Sequence, residues 1–172
     1  MAKPCLLRQQ TTWFRLILAV SFLVFTLVLM YLVFNTRYQF YGDGHQYRCL
    51  PVRFAVVDKW NKDVNLGDIY AFKAKNTMIY KDGTLLAKKF MATFLDTVAI
   101  EPDEYLYING KQEAYGLKSA TKLKLDKKRF VGKRILEKDE YFALGTTINS
   151  FDSRYFGTVY EDQIIGKLYP IF

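Results

Sequence analysis

Nineteen consecutive uncharged residues, Leu16 to Phe34, constrain this chain more than any other feature. As a helix they reach about 28 Å, close to the roughly 30 Å of hydrocarbon in a bilayer. A run this long and apolar predicts a transmembrane anchor. Mean hydropathy over the whole chain is only −0.05, so the rest must be ordinarily polar, and residues 35–172 are enough to bury a core of their own. The 13 Tyr and 14 Phe against 4 Pro exclude a disordered or collagen-like chain.

Lys3, Arg8 and Arg15 precede the run with no acidic residue among them, whereas Arg37 and Arg48 beyond it are accompanied by Asp43. An excess of Lys and Arg marks the cytoplasmic side, which puts residues 1–15 inside, 16–34 in the membrane and 35–172 outside. A cleavable signal peptide would have an apolar stretch of about 7–15 residues followed by small residues. This run is longer and ends in Asn35-Thr36-Arg37, so an uncleaved anchor is expected. Ser21, Thr26 and Tyr31 inside it need no functional explanation.

From residue 50 the chain reads mostly as strands. Val52 to Val57, Ile69 to Phe72, Met78 to Tyr80, Leu85 to Ala92, Thr97 to Ile100, Tyr105 to Ile108, Tyr141 to Leu144 and Ile164 to Phe172 are short β-branched or aromatic runs. Asp82-Gly83 and Asn109-Gly110 between such runs are strong hairpin signals. No long 3.6-residue period lies outside the anchor, so a single mainly β domain with small helical additions is predicted. Residues 111–138 differ, with ten Lys or Arg against Glu113, Asp126 and Glu137. They read as a solvated basic insert between two strands. Contact with anionic lipid headgroups is the alternative, each basic residue adding about 1 kcal/mol. Nucleic acid is not expected as a partner, because the segment is expected to face away from the cytosol and lacks interleaved aromatics or a binding signature.

Candidate chemistry is narrow. Cys5 and Cys49 lie on opposite sides of the anchor and cannot pair within one chain, and His45 is the single histidine. The spacings of zinc ligands are absent, so neither a metal nor a cofactor is expected. Cys49 is a lone thiol, either buried or used as a nucleophile, and His45 four residues before it could pair with it. Lys88 and Lys89 sit within Leu85 to Ala92. Alternation puts Lys88 on the face of Leu86 and Phe90 and Lys89 on the face of Ala87 and Met91, and partial desolvation prepares either amine as a base. The plainer alternative makes these lysines guards of an edge strand. The run from Gly145 to Gly157, taken bare, is a polar loop with an Asp152–Arg154 surface pair worth at most about 1 kcal/mol.

Ser150-Phe151-Asp152-Ser153-Arg154-Tyr155-Phe156-Gly157 resembles the S-x-D-S-R-x-x-G signature of type I signal peptidases (leader peptidases). Tyr141 to Gly145 resembles the apolar strand leading into it, and Gly67-Asp68-Ile69-Tyr70-Ala71-Phe72 the G-D-[IV]-x-x-F strand. Lys88-Lys89-Phe90-Met91 ahead of Asp96-Thr97-Val98 is similar to the K-R-V-x-G-x-P-G-D-x-V box. Cys49-Leu50-Pro51 falls where the nucleophile box belongs, S-x-P in the conjugation-associated TraF-like branch. The resemblance covers about residues 45–172, with the boxes in order behind the anchor.

It implies a fold of coiled, partly barrel-like β-sheets and a Ser/Lys dyad that removes signal peptides from exported precursors at the bacterial inner membrane, with the domain periplasmic. Carried over, Cys49 takes the nucleophile's place, Lys88 the base's, and Ser150 orients the amine. Asp152 and Arg154 become a supporting ion pair and Lys89 a structural basic residue. The implied partners are precursor proteins, a conjugative pilin-like preprotein above all, with membrane lipid and conjugation machinery beside them.

Three departures stand out. The nucleophile is Cys, Tyr47 replaces a serine that often helps the oxyanion hole, and the motifs around Ala92-Thr93-Phe94-Leu95 and Thr146-Thr147-Ile148 are altered. Losing one oxyanion donor costs on the order of 10²–10³ in rate, and leaves the backbone N–H of Cys49 as the clearest donor. A thiol is a stronger acid than an ammonium, so a Cys/Lys pair can ionise at rest. An active Cys49/Lys88 peptidase is the leading expectation. The alternatives are an inactive homologue that assembles with a transfer or secretion apparatus, and an unrelated membrane-anchored β-domain that binds surfaces through 111–138.

Overall fold

The computed structural model describes residues 5–42 and 49–171, with side chains from residue 12 onward in the first helix. The chain divides into two compact units, Met1–Tyr38 and Gln39–Phe172. The first is helix α1, Cys5–Arg37. Within it the stretch Thr12–Arg37 is long and apolar enough to cross a membrane. Its large apolar side chains are exposed all round, a pattern that water does not tolerate and lipid does. Thr26 turns its hydroxyl back to the carbonyl of Phe22 at 2.8 Å, which satisfies it without any partner outside the helix.

The second unit is built from antiparallel strands. They are β1 Tyr38–Gly42, β2 Phe54–Asp58, β3 Ile69–Lys73, β4 Leu85–Ala92, β5 Thr97–Ile100, β6 Tyr105–Ile108, β7 Lys111–Tyr115, β8 Gly132–Ile135, β9 Glu140–Leu144, β10 Val159–Tyr160 and β11 Ile164–Pro170. Two short helices, α2 Lys118–Lys122 and α3 Ser153–Phe156, complete it. Seven strands form one sheet in the order β1-β2-β11-β3-β4-β9-β10, and four form another in the order β7-β6-β5-β8. The predicted helix followed by a mainly β domain is therefore present, and both sheets are open rather than closed into a barrel.

Alternation explains the layers. Ala71 and Ala87 turn to one face of the larger sheet and pack with Leu50, Val52, Ala55, Val57 and Leu168. Tyr70, Phe72, Leu86 and Phe90 turn to the other and pack with Val159 and Ile164. A third cluster joins the sheets, setting Val98, Ile100, Leu106 and Ile108 against Leu136, Phe142, Leu144, Phe151 and Tyr155. Phe151 stacks on Tyr155 at 5.3 Å and 9°. That aromatic pair is how the loop after β9 is held on its scaffold.

Two sequence expectations need correction. Met78-Ile79-Tyr80 is not a strand but part of the loop between β3 and β4. Local side-chain bonds win there over ladder pairing. The Thr77 hydroxyl bonds both the carbonyl and the N–H of Tyr80, and Asn76 donates its N–H to Asp82 at 2.7 Å. Residues 111–138 are largely exposed, as expected, but they are more than an insert between two strands. They supply both edges of the smaller sheet, β7 and β8, and bury Leu117, Ser119, Ala120 and Leu136.

Candidate active site

Lys88 lies on β4, which is paired on both sides, Tyr70 opposite Lys88 on β3 and Leu144 opposite Lys89 on β9. An interior strand needs no guard, so the edge-strand explanation of these lysines fails. Directly opposed residues share a face, so the Lys88 side chain stands beside buried Tyr70. Only 3% of Lys88 is exposed, and its amine donates to Ser150 Oγ at 3.1 Å. Lys89, on the opposite face, is half-buried.

The loop from Gly145 to Ser150 is folded tightly enough that a side chain at Gly145 would collide with it. A Cβ there would sit 2.0 Å from Ser150 Oγ and 2.9 Å from the carbonyl oxygen of Cys49. That same carbonyl accepts the Thr146 N–H at 2.8 Å and the Thr146 hydroxyl at 3.2 Å. Cys49 therefore joins the cluster through its backbone, while its thiol is free and half-buried. The Ser150 N–H closes the loop onto Thr147 O at 3.0 Å. A cleft of about 370 Å³ runs along the outer side of this loop, lined by Lys89, Met91, Tyr115, Thr146 and Ile148 among others.

Asp152 and Arg154 are not the exposed pair that the bare loop suggested. Asp152 caps α3 and is wholly buried, and Arg154 is 5% exposed. The guanidinium grips the carboxylate with two parallel bonds, Nε to Oδ1 and Nη2 to Oδ2, both 2.8 Å. Asp152 Oδ2 also accepts the Gly145 N–H at 3.0 Å, which ties the pair to the loop that touches Cys49. The remaining arm, Arg154 Nη1, donates to the carbonyl of Gly116 at 2.9 Å. Burial works against the charge of Arg154, but the bonds and charge of Asp152 outweigh it and hold the guanidinium above its ordinary value. Ser153 accepts the Ala143 N–H at 2.9 Å and fixes α3 to β9.

The structure thus brings together two hydrogen-bonded pairs, Lys88 with Ser150 and Asp152 with Arg154, around the loop that begins at Gly145, and the Cys49 backbone is bonded to Thr146 of the same loop. His45 and Tyr47 lie outside the described residues. Among the described residues no group of three or more His, Cys, Asp or Glu could hold a metal ion. Sequence reasoning missed Thr146, Gly116 and Ser119, which bond to this group from outside its signature. Gly116 and Ser119 belong to the basic segment, where no local pattern marks an uncharged residue as part of a site.

No curated protein matches the chain. A crystal structure of a signal peptidase I from Enterococcus faecalis is 27% identical, covering 63% of this chain and 99% of that one, with a TM-score of 0.41. The family of signal peptidases, peptidase S26, matches residues 10–172, which takes in most of α1 and every strand and loop of the candidate site. A match of that extent places this chain in the signal peptidase family, peptidase S26.

Proposed function

We propose that this protein is a membrane-anchored signal peptidase that cleaves signal peptides from exported precursors through a Cys49/Lys88 variant of the family's Ser/Lys dyad. The observation that carries this is the buried Lys88 amine, donating to Ser150 Oγ at 3.1 Å on an interior strand. An amine in that setting is pinned by one hydroxyl and shielded from water, as a positioned base requires. In the reaction Lys88 takes the thiol proton of Cys49 and the sulfur attacks the scissile carbonyl. The oxyanion forms against the backbone N–H of Cys49. The ammonium then protonates the departing amine, and water hydrolyses the thioester and restores the thiol. Ser150 orients the amine, and Asp152 with Arg154 holds the loop.

The family's activity and the exposed apolar helix support anchoring at a membrane and preprotein substrates. The finer assignment is residues 1–15 in the cytoplasm, 16–34 across the inner membrane and 35–172 in the periplasm. The Cys49-Leu50-Pro51 box supports the conjugation-associated TraF-like branch, hence a pilin-like or transfer-system precursor. Cysteine in a serine's place equally favours an inactive homologue with an assembly role. Membranes containing the chain, mixed with a precursor bearing small residues before its cleavage site, decide between them. Release of the mature protein supports the peptidase, and no processing of any such precursor supports the assembly role.

A further inference from the structure

We infer that Ser119, in the basic segment, is a positioning residue for the Lys88–Ser150 pair; this rests on the peptidase function proposed above. Gly116, at φ +89°, turns the chain out of β7 and presents its carbonyl to Arg154 at 2.9 Å. Ile148 of the active-site loop packs over it, with its Cδ1 2.9 Å from where a Cβ would lie. Helix α2 then starts with its Ser119 N–H donating to the Tyr155 hydroxyl at 3.2 Å. The Ser119 hydroxyl shares its one proton between two successive carbonyls, Asn149 at 3.2 Å and Ser150 at 3.4 Å.

Serine hydroxyls in helices commonly bond back to their own preceding turn or face water. This one is 5% exposed and reaches a loop about thirty positions away in sequence. A hydroxyl that fixes the carbonyl of Ser150 fixes the backbone from which Ser150 Oγ projects, and so sets where the Lys88 amine finds its acceptor. Apart from the tie to Thr147 inside the loop, Ser119 is the brace that the described structure gives to this backbone at Ser150. Small displacements of catalytic groups are expensive, roughly 10²-fold for 1 Å. The basic segment therefore acts on the reaction from its own side of the loop, through a neutral residue rather than through its charges.

The test compares the full-length natural chain with Ser119→Ala and Ser119→Thr in precursor cleavage, with Lys88→Ala as the blank. Ser119→Ala is expected to lower kcat about 5- to 10-fold with KM within about twofold, and Ser119→Thr, which keeps the hydroxyl, to recover most of it. Thermal denaturation of each variant checks that it is folded at the assay temperature. A kcat unchanged in Ser119→Ala, an equal loss in both variants, or a change confined to KM overturns the positioning role while the peptidase stands. A natural chain no more active than Lys88→Ala overturns the peptidase function and this role with it.

Discussion

The amine of Lys88 and the hydroxyl of Ser150 meet at 3.1 Å across 62 positions of sequence, between β4 and the loop after β9, where both residues are buried. Ser150 Oγ is the one hydrogen-bond partner described for that amine. Ser150→Ala therefore leaves a buried donor unsatisfied, a penalty of about 1–3 kcal/mol. We expect kcat to fall about 10- to 100-fold, and the double variant with Lys88→Ala to be no worse than Lys88→Ala alone. Steady-state cleavage of one precursor by the three variants measures this. Additive losses would show that the two side chains act separately.

Asp152 and Arg154 form a buried pair whose members cannot be removed singly without leaving a charge stranded. Asp152→Leu or Arg154→Leu alone should each cost about 3–5 kcal/mol. The double variant should cost less than the two together by about 1–3 kcal/mol. Chemical denaturation of the four proteins gives the cycle, and simple additivity would contradict the geometry.

Gly145 is required for space. A methyl there meets Ser150 Oγ at 2.0 Å and the Cys49 carbonyl at 2.9 Å, so Gly145→Ala must move the loop. Cleavage should fall on the order of 10²-fold. Gly110→Ala is the control, since its φ of +79° imposes backbone strain in open space, in the turn between β6 and β7. It should cost about 1 kcal/mol in stability and leave cleavage intact. Equal activities for the two variants would sink the claim.

Stability should also decline in acid through Glu140, the first residue of β9, the strand leading into Gly145. Burial alone would raise its carboxyl. Bonds from the Glu137 N–H, the Thr158 hydroxyl and Arg134 outweigh that and hold it below the ordinary value. The folded chain thus binds this proton less readily than the unfolded chain. Its stabilisation is fully present above the ordinary glutamate value of about 4.3 and is lost as pH falls through the lower folded value. The melting temperature of Glu140→Gln should fall less steeply in that acid window than that of the natural chain. Parallel curves would show that Glu140 contributes nothing to the acid response.

The fold was largely legible where turn chemistry and periodicity agreed. Asn109 and Gly110 take the positive φ values, 51° and 79°, that an Asn-Gly hairpin needs, and Ile108 pairs with Lys111 across it. Lys88 was legible as a lysine among apolar neighbours, but not as a residue of an interior strand, because strand order is set by long-range pairing with β3 and β9. The Asp152–Arg154 spacing gave no sign of burial, since it is the smaller sheet that covers them. Ser119 had no signature at all. Its role comes from the packing of α2 on the loop, which no local pattern encodes.

The most direct measurement is precursor cleavage in membranes by the natural chain, Cys49→Ala, Cys49→Ser and Lys88→Ala, following the mature protein over time. The account predicts cleavage by the natural chain, none by either alanine variant, and reduced cleavage by Cys49→Ser, whose smaller oxygen sits in a site shaped for sulfur. Alanine variants that process precursor as fast as the natural chain would contradict the Cys49/Lys88 dyad outright.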